Sequence, residues 1–147
     1  RHFFLDYKQV DLQEGELISA IDFQYAEAPI RLSFEKVSKR QHLDIASVNS
    51  AMSLSVQDDR FQHIHIAVGG VAAIPLYLQQ SCAFLQNKKI SNSLLKHALA
   101  LAQKEISPLS DSRGSEEYKR LLVQQLLIAH WLKLLPEYVS WGDFNEF

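Results

Sequence analysis

The densest chemistry in the chain lies in Phe34-Glu-Lys-Val-Ser-Lys-Arg-Gln-His-Leu-Asp-Ile-Ala46, where cations at 36, 39 and 40 are followed by Asp44. As a strand connection, such a segment needs only water. As a functional loop, it would bring positive charge and hydrogen-bond donors to an anionic or electron-rich ligand. A second dense stretch, Glu105-Ile-Ser-Pro-Leu-Ser-Asp-Ser-Arg-Gly-Ser-Glu-Glu-Tyr-Lys-Arg120, joins one helical pattern to another. His63 and His65 are two apart on a strand pattern and leave the same face, a geometry a metal can use. With no third histidine or carboxylate obviously placed, paired surface histidines are the simpler reading. His97 and His130 sit within helical patterns. Asp6, Asp22, Glu27 and Asp44 show no pairing of the kind general acid–base chemistry requires. No G-x-x-x-x-G-K-S/T, G-x-G-x-x-G, H-E-x-x-H or serine-nucleophile elbow occurs.

The elements that must position these residues change period along the chain. Residues 16 to about 71 alternate, and 76 to 135 repeat every three to four positions. Glu16 to Phe23, after a Gly15 turn, reads as a strand, and Ile30 to Val37 as a second with Ile30, Leu32 and Phe34 on one face. From Ala46 the alternation is clean: Ala46, Val48, Ser50, Met52, Leu54 and Val56 face one way, and Ser47, Asn49, Ser53, Ser55 and Gln57 the other. Gln57-Asp58-Asp59-Arg60 reads as a turn, and Phe61 to Val68 returns as a hairpin with Ile64, Ile66 and Val68 on the dry side. Three helices are predicted over Leu76–Leu85, Ser91–Ile106 and Arg113–Leu135, with Ser91 as an N-cap. Pro108 should stop the second of them. Asp111 and Ser112 are candidates to cap the third, and Ser115 with Glu116, Glu117 and Tyr118 can open it. Strands followed by helices in series predict an α+β fold, an antiparallel sheet of three to four strands packed on three helices.

The totals exclude several classes. A chain of 147 residues is one domain's worth. Its 47% hydrophobic content, with five glycines and four prolines, is globular. A net charge of −2 gives no basic surplus for nucleic acid or an anionic membrane. The single cysteine, Cys82, rules out an internal disulfide or a multi-cysteine iron–sulfur site within the chain and fits a reducing compartment. The apolar run Leu121–Leu135 is broken by Gln124, Gln125, His130 and Lys133 and is shorter than the roughly 20 residues of a membrane span. The start, Arg-His-Phe-Phe, is expected to be internal to a longer polypeptide. The aromatic tail, Tyr138, Trp141, Phe144 and Phe147, is expected to dock on this chain or another.

Four stretches, in register, resemble the flavoprotein component of molybdenum hydroxylases, the family of the xanthine and carbon monoxide dehydrogenases. Phe3-Phe-Leu-Asp-Tyr-Lys-Gln-Val-Asp-Leu-Gln-Glu-Gly-Glu-Leu-Ile18 resembles the F-F-x-x-Y-R-K-T-x-L-x-x-x-E-I/L-I/L run that closes the FAD-binding lobe. Lys36-Val-Ser-Lys-Arg followed by Asp44-Ile-Ala resembles K-x-S-K-R-x-x-x-D-I-A/S at the start of the C-terminal domain. Ile66-Ala-Val-Gly-Gly-Val-Ala-Ala-Ile-Pro75 resembles I-A-x-G-G-x-A-x-x-P. Pro108 to Arg120 resembles P-x-S-D-x-R-G-S-x-x-Y-R. The lysine–serine–lysine–arginine connection looks closest to the small subunits of bacterial xanthine dehydrogenases.

The resemblance implies the C-terminal domain of an FAD-binding, electron-transferring component, forming one wall of a flavin pocket. Within it, Lys36 matches the flavin-proximal lysine, Ile18 an apolar position against the isoalloxazine ring, and Tyr7 a tyrosine on the pyridine-nucleotide side. Ser38, Lys39, Arg40, Asp44 and Ile45 match the loop that screens the ring. A nearby cation stabilises the reduced, anionic flavin and raises its potential. Lys8-Gln-Val stands where arginine–lysine–threonine is usual, and Leu43 where a polar or acidic residue is common. The resemblance further implies residues 1–24 as the end of the FAD-binding lobe, 25–136 as the C-terminal domain and 137–147 as an aromatic tail. It implies a cytoplasmic oxidoreductase in which 2Fe-2S clusters and molybdopterin belong to other domains or subunits. NAD or another acceptor takes the electrons, and a homo-oligomer is compatible. The chain alone is expected to be inactive and to hold FAD weakly or not at all. The rival reading is a non-catalytic interaction domain that keeps the fold without flavin.

Overall fold

The computed structural model describes residues 3–23 and 29–145. Glu27 and Phe147 lie outside the described residues. In chain order the elements are a short hairpin, β1 (Phe4–Asp6) and β2 (Gln9–Val10), then β3 (Arg31–Val37), β4 (Val48–Gln57), β5 (Arg60–Gly69) and β6 (Leu76–Tyr77). The helices α1 (Gln79–Leu85), α2 (Asn92–Glu105) and α3 (Glu116–Leu134) follow, and a 3-10 turn (Trp141–Phe144) ends the described chain. The α+β class holds: a four-stranded antiparallel sheet of order β3-β4-β5-β6 is packed on three helices.

Residues 48–57 and 60–69 form the long hairpin their alternation dictates. Its turn places Asp58 and Asp59 at φ +51° and +58°, the paired left-handed conformation that matches strand twist. Val48, Met52 and Leu54 pack with Phe61, Ile64, Ile66 and Val68 on the inner face, all fully buried or nearly so. The helices close over that face with Leu85, Leu95, Leu99, Val123, Leu127 and Trp131. Each such side chain contributes about 1.5–3 kcal/mol by leaving water. α3 lies across β3 and β4, while α1 packs on β5 and on α2.

Caps set the helix ends. The Ser91 hydroxyl accepts from Leu94 N at 3.2 Å, and α2 stops before Pro108. Ser115, not Asp111 or Ser112, caps α3, accepting from Tyr118 N at 3.2 Å, so that helix begins at Glu116. The aromatic tail docks on its own chain, with Phe144 buried and stacked on Trp131 at 6.0 Å between centroids.

Two local expectations are corrected. Residues 16–23 form no strand, because no neighbouring edge pairs with them. Leu76 and Tyr77 extend the sheet beside Val68 and Ala67, so α1 opens only at Gln79. In and just before β3, Ile30, Leu32 and Phe34 share one face as expected, and that face is the outer one, so the polar residues turn inward. Ser33, Glu35 and Val37 oppose Met52, Ser50 and Val48, while Ile30, Leu32 and Phe34 stand exposed. Partners on α3 satisfy the inward polar groups: Glu35 accepts from Lys133 Nζ at 3.1 Å, and Ser50 on β4 meets His130 at 2.7 Å.

Candidate functional site

The loop between β3 and β4 is tied by its own polar groups. Ser47 N donates to the Val37 carbonyl at 2.8 Å and closes the neck. Lys36 Nζ, projecting from the end of β3, donates to the Asp44 carbonyl at 2.6 Å. The Asp44 carboxylate accepts from Arg40 N at 2.9 Å and lies 3.6 Å from its guanidinium, which also donates to the Leu43 carbonyl at 3.2 Å. The Ser38 hydroxyl donates to the Arg40 carbonyl at 2.9 Å. Folding of the basic side chains onto loop carbonyls leaves an apolar tip. Leu43, at φ +50°, is 98% exposed and Ile45 66% exposed.

Burial works to raise the Asp44 pKa, but the Arg40 N–H and guanidinium outweigh it and hold the carboxyl below the usual range. The carboxylate therefore keeps the charge that organises the loop.

Both flanks of the loop reach the 105–120 segment. Lys39 Nζ donates to the Ser112 carbonyl at 2.6 Å, and the Ser47 hydroxyl to the Arg113 carbonyl at 2.9 Å. Asp111 anchors that segment, accepting from Arg113 N at 2.8 Å and pairing with the buried Lys119 ammonium at 2.8 Å. The Lys119 hydrogen bond, with the Arg113 N–H next, holds the Asp111 carboxyl below the ordinary range.

Lys36 shares the outer sheet face with Phe34 and Leu32, because it opposes Asn49 in the register. Small residues pave the centre of this face. Ala51, Ala67 and Gly69 line a shallow hollow of about 330 Å³ together with Ala72, Ala73 and Pro75. A Cβ on Gly69 would meet Asn49 Oδ1 at 2.8 Å, so glycine leaves room for that amide. Ala72 and Ala73 also border a cavity of about 540 Å³ lined by Tyr7, Ser107, Ser110, Asp111 and Arg113.

The structure thus brings Lys36, Ser38, Arg40 and Asp44 together, turns Ile45 outward and commits Lys39 to the distant Ser112 carbonyl. Ile18 stands half exposed in an irregular segment, and Tyr7 lies on the β1–β2 hairpin. Among the described residues no hydrogen bond or ion pair joins either to the loop. Sequence reasoning missed Ser47 and Ser112 as attachment points; both are small polar residues whose role depends on contacts distant in sequence. His63 and His65 are exposed on the outer face, and His65 Nδ1 lies 2.7 Å from the Tyr77 hydroxyl. Among the described residues no group of three or more His, Cys, Asp and Glu is placed to hold a metal, and no helix is long and apolar enough to cross a membrane.

Residues 33–134 match the model of the CO dehydrogenase flavoprotein C-terminal domain family. Aldehyde oxidase 2 of Macaca fascicularis is 27% identical over 139 residues, 92% of this chain and 10% of the relative. The glyceraldehyde dehydrogenase medium chain of Sulfolobus acidocaldarius is 27% identical over 124 residues, 84% of this chain and 43% of the relative. A solved Cu,Mo-CO dehydrogenase in its cyanide-inactivated form superposes with a TM-score of 0.78 at 25% identity, covering 86% of this chain and 44% of that one. The chain therefore spans less than half the length of these relatives.

Proposed function

The chain belongs to the CO dehydrogenase flavoprotein C-terminal domain family, and from that premise we propose that it forms one wall of an FAD pocket in a xanthine-dehydrogenase-like molybdenum hydroxylase. The observation that carries this reading is the placement of exposed apolar surface beside the Lys36 loop. Of the eighteen large apolar side chains exposed among the described residues, fourteen fall in the first 45 positions and four beyond. They include Ile18, Leu32, Phe34, Leu43 and Ile45. A monomer rarely leaves so much apolar surface exposed, and Leu32 and Phe34 share the outer sheet face with Lys36, so a partner lobe is expected there.

The residues present suit the ring end of FAD. Lys36 has one N–H spent on the Asp44 carbonyl and others free to donate toward an electron-rich ring edge. Leu43 and Ile45 offer apolar contact and keep water from that edge. FAD, when bound, would supply electron transfer in one- or two-electron steps. Its phosphates and adenine would be held by the upstream lobe, of which residues 1–24 are the end in this reading. Residues 25–136 then form the wall and 137–147 the docked tail. Iron–sulfur and molybdopterin partners would feed the flavin, with NAD or another acceptor taking the electrons in the cytoplasm.

The test is purification of the native complex through a tag on this chain. The expected product is yellow and carries cluster- and pterin-bearing partners. A colourless chain free of partners would contradict the reading. The chain mixed alone with FAD should lose the flavin on desalting.

A further inference from the structure

We propose that the turn at residues 110–115 is the platform that positions the 38–46 loop, with Asp111 and Lys119 as positioning residues that act on it through Lys39 and Ser47. The turn is closed on itself by Asp111 N donating to the Gly114 carbonyl at 3.0 Å and Gly114 N to the Asp111 carbonyl at 3.2 Å. It is fixed to the body at three points. Lys119, 3% exposed, pairs with the Asp111 carboxylate at 2.8 Å and donates to the Leu109 carbonyl at 2.7 Å. Glu116 N donates to the Ser110 hydroxyl at 2.9 Å, and Ser107 N to the Val71 carbonyl at 2.9 Å.

This fixed turn offers two successive carbonyls, at Ser112 and Arg113, and each accepts from one flank of the loop. Lys39 lies two residues past β3 and Ser47 one residue before β4, so the two bonds grip the loop from both sides of its neck. The internal bonds of the loop set its shape but not its angle to the sheet. Besides the Lys36 bond from the end of β3 to the Asp44 carbonyl, these two side-chain bonds tie the loop and its neck to the rest of the described chain. An ammonium on a carbonyl is a charge-assisted contact, and the hydroxyl bond on the other side of the neck, from the buried Ser47, adds a second point of restraint.

The platform is independent of any ligand, but its consequence for a flavin rests on the function proposed above, so the test reads both. In the 147-residue chain, hydrogen exchange is followed at Arg40 N–H, which reports the loop, and at β4 and β5 amides, which report the core. Asp111→Asn should speed exchange at Arg40 on the order of tenfold with the core amides unchanged, and the Lys39→Met, Ser47→Ala pair should reproduce this. Should Asp111→Asn fail to fold, that pair carries the test alone. Unchanged Arg40 exchange in the pair, or acceleration spread equally over the core, overturns the proposal. In the intact flavoprotein the same variants should shift the flavin midpoint potential downward, as the loop cations lose their fixed place. A loosened loop with an unmoved potential would leave the platform standing and contradict the flavin reading instead.

Discussion

Lys36 Nζ donates to the carbonyl oxygen of Asp44 at 2.6 Å, across the mouth of a loop whose carboxylate, on that same Asp44, accepts the Arg40 N–H at 2.9 Å. One residue therefore fixes a cation with its backbone and the loop's shape with its side chain. Asp44→Asn should keep the first bond and weaken the second. Arg40 amide exchange would rise, because a neutral amide oxygen is a weaker acceptor than the carboxylate.

The same carboxylate sets an acid limit. Its folded pKa is below the unfolded one, so its contribution is present above the unfolded value and is lost as pH falls through the folded value. Protection of Arg40 N–H should decline below roughly pH 4. It should not decline near neutrality.

His130 adds a second acid limit, with a different cause. It is fully buried with Nε2 2.7 Å from the Ser50 hydroxyl, and Nδ1 has no partner among the described residues. Burial lowers its pKa, against an opposing pull from Glu35. Below the unfolded value of about 6.5 the unfolded chain binds a proton that the folded chain refuses, so stability falls with acidity at up to about 1.4 kcal/mol per pH unit. Urea unfolding from pH 7 to pH 5 should show this slope, and His130→Leu should flatten it.

Asp111→Ala would leave the Lys119 ammonium buried with only the Leu109 carbonyl. A loss of about 1–3 kcal/mol is expected. Lys119→Met, which removes the buried charge instead, should cost less. Denaturant midpoints with unchanged slopes would compare the two.

Gly70 is held at φ +83°, and a Cβ there would come within 2.5 Å of the Ser47 carbonyl. Gly70→Ala should destabilise by about 2 kcal/mol or more, combining the left-handed penalty with a backbone clash. The same Ser47 anchors the loop, so Arg40 exchange should rise as well.

The exposed apolar residues on the outer face of β3 predict association of the isolated chain. Leu32 is 70% and Phe34 60% exposed on the outer sheet face. Leu32→Ser with Phe34→Ser should shift sedimentation toward the monomer without lowering the melting temperature. The apolar run Leu121–Leu135 is a poorer candidate, since Val123, Leu127 and Trp131 are buried in the core.

Much of this architecture was legible in the residues. Ile64, Ile66 and Val68 alternate onto the dry face as read, and Ser91 caps α2. Alternation separates two faces but does not say which is inward. In β3 the answer came from Lys133 and His130, about a hundred residues away. Residues 16–23 carry strand-like residues but find no neighbouring edge. At the site, the positive loop was visible from its composition. Its attachment through Lys39 to Ser112 was not, because a backbone carbonyl has no signature in sequence.

In the proposed pocket Lys36 lies against the flavin, and the midpoint potential of the FAD in the intact flavoprotein reads that placement. Lys36→Met should lower that potential, and Lys36→Arg should largely preserve it, because a fixed cation stabilises the reduced anionic ring. A potential identical to the parent's in a folded, FAD-loaded Lys36→Met variant would contradict it.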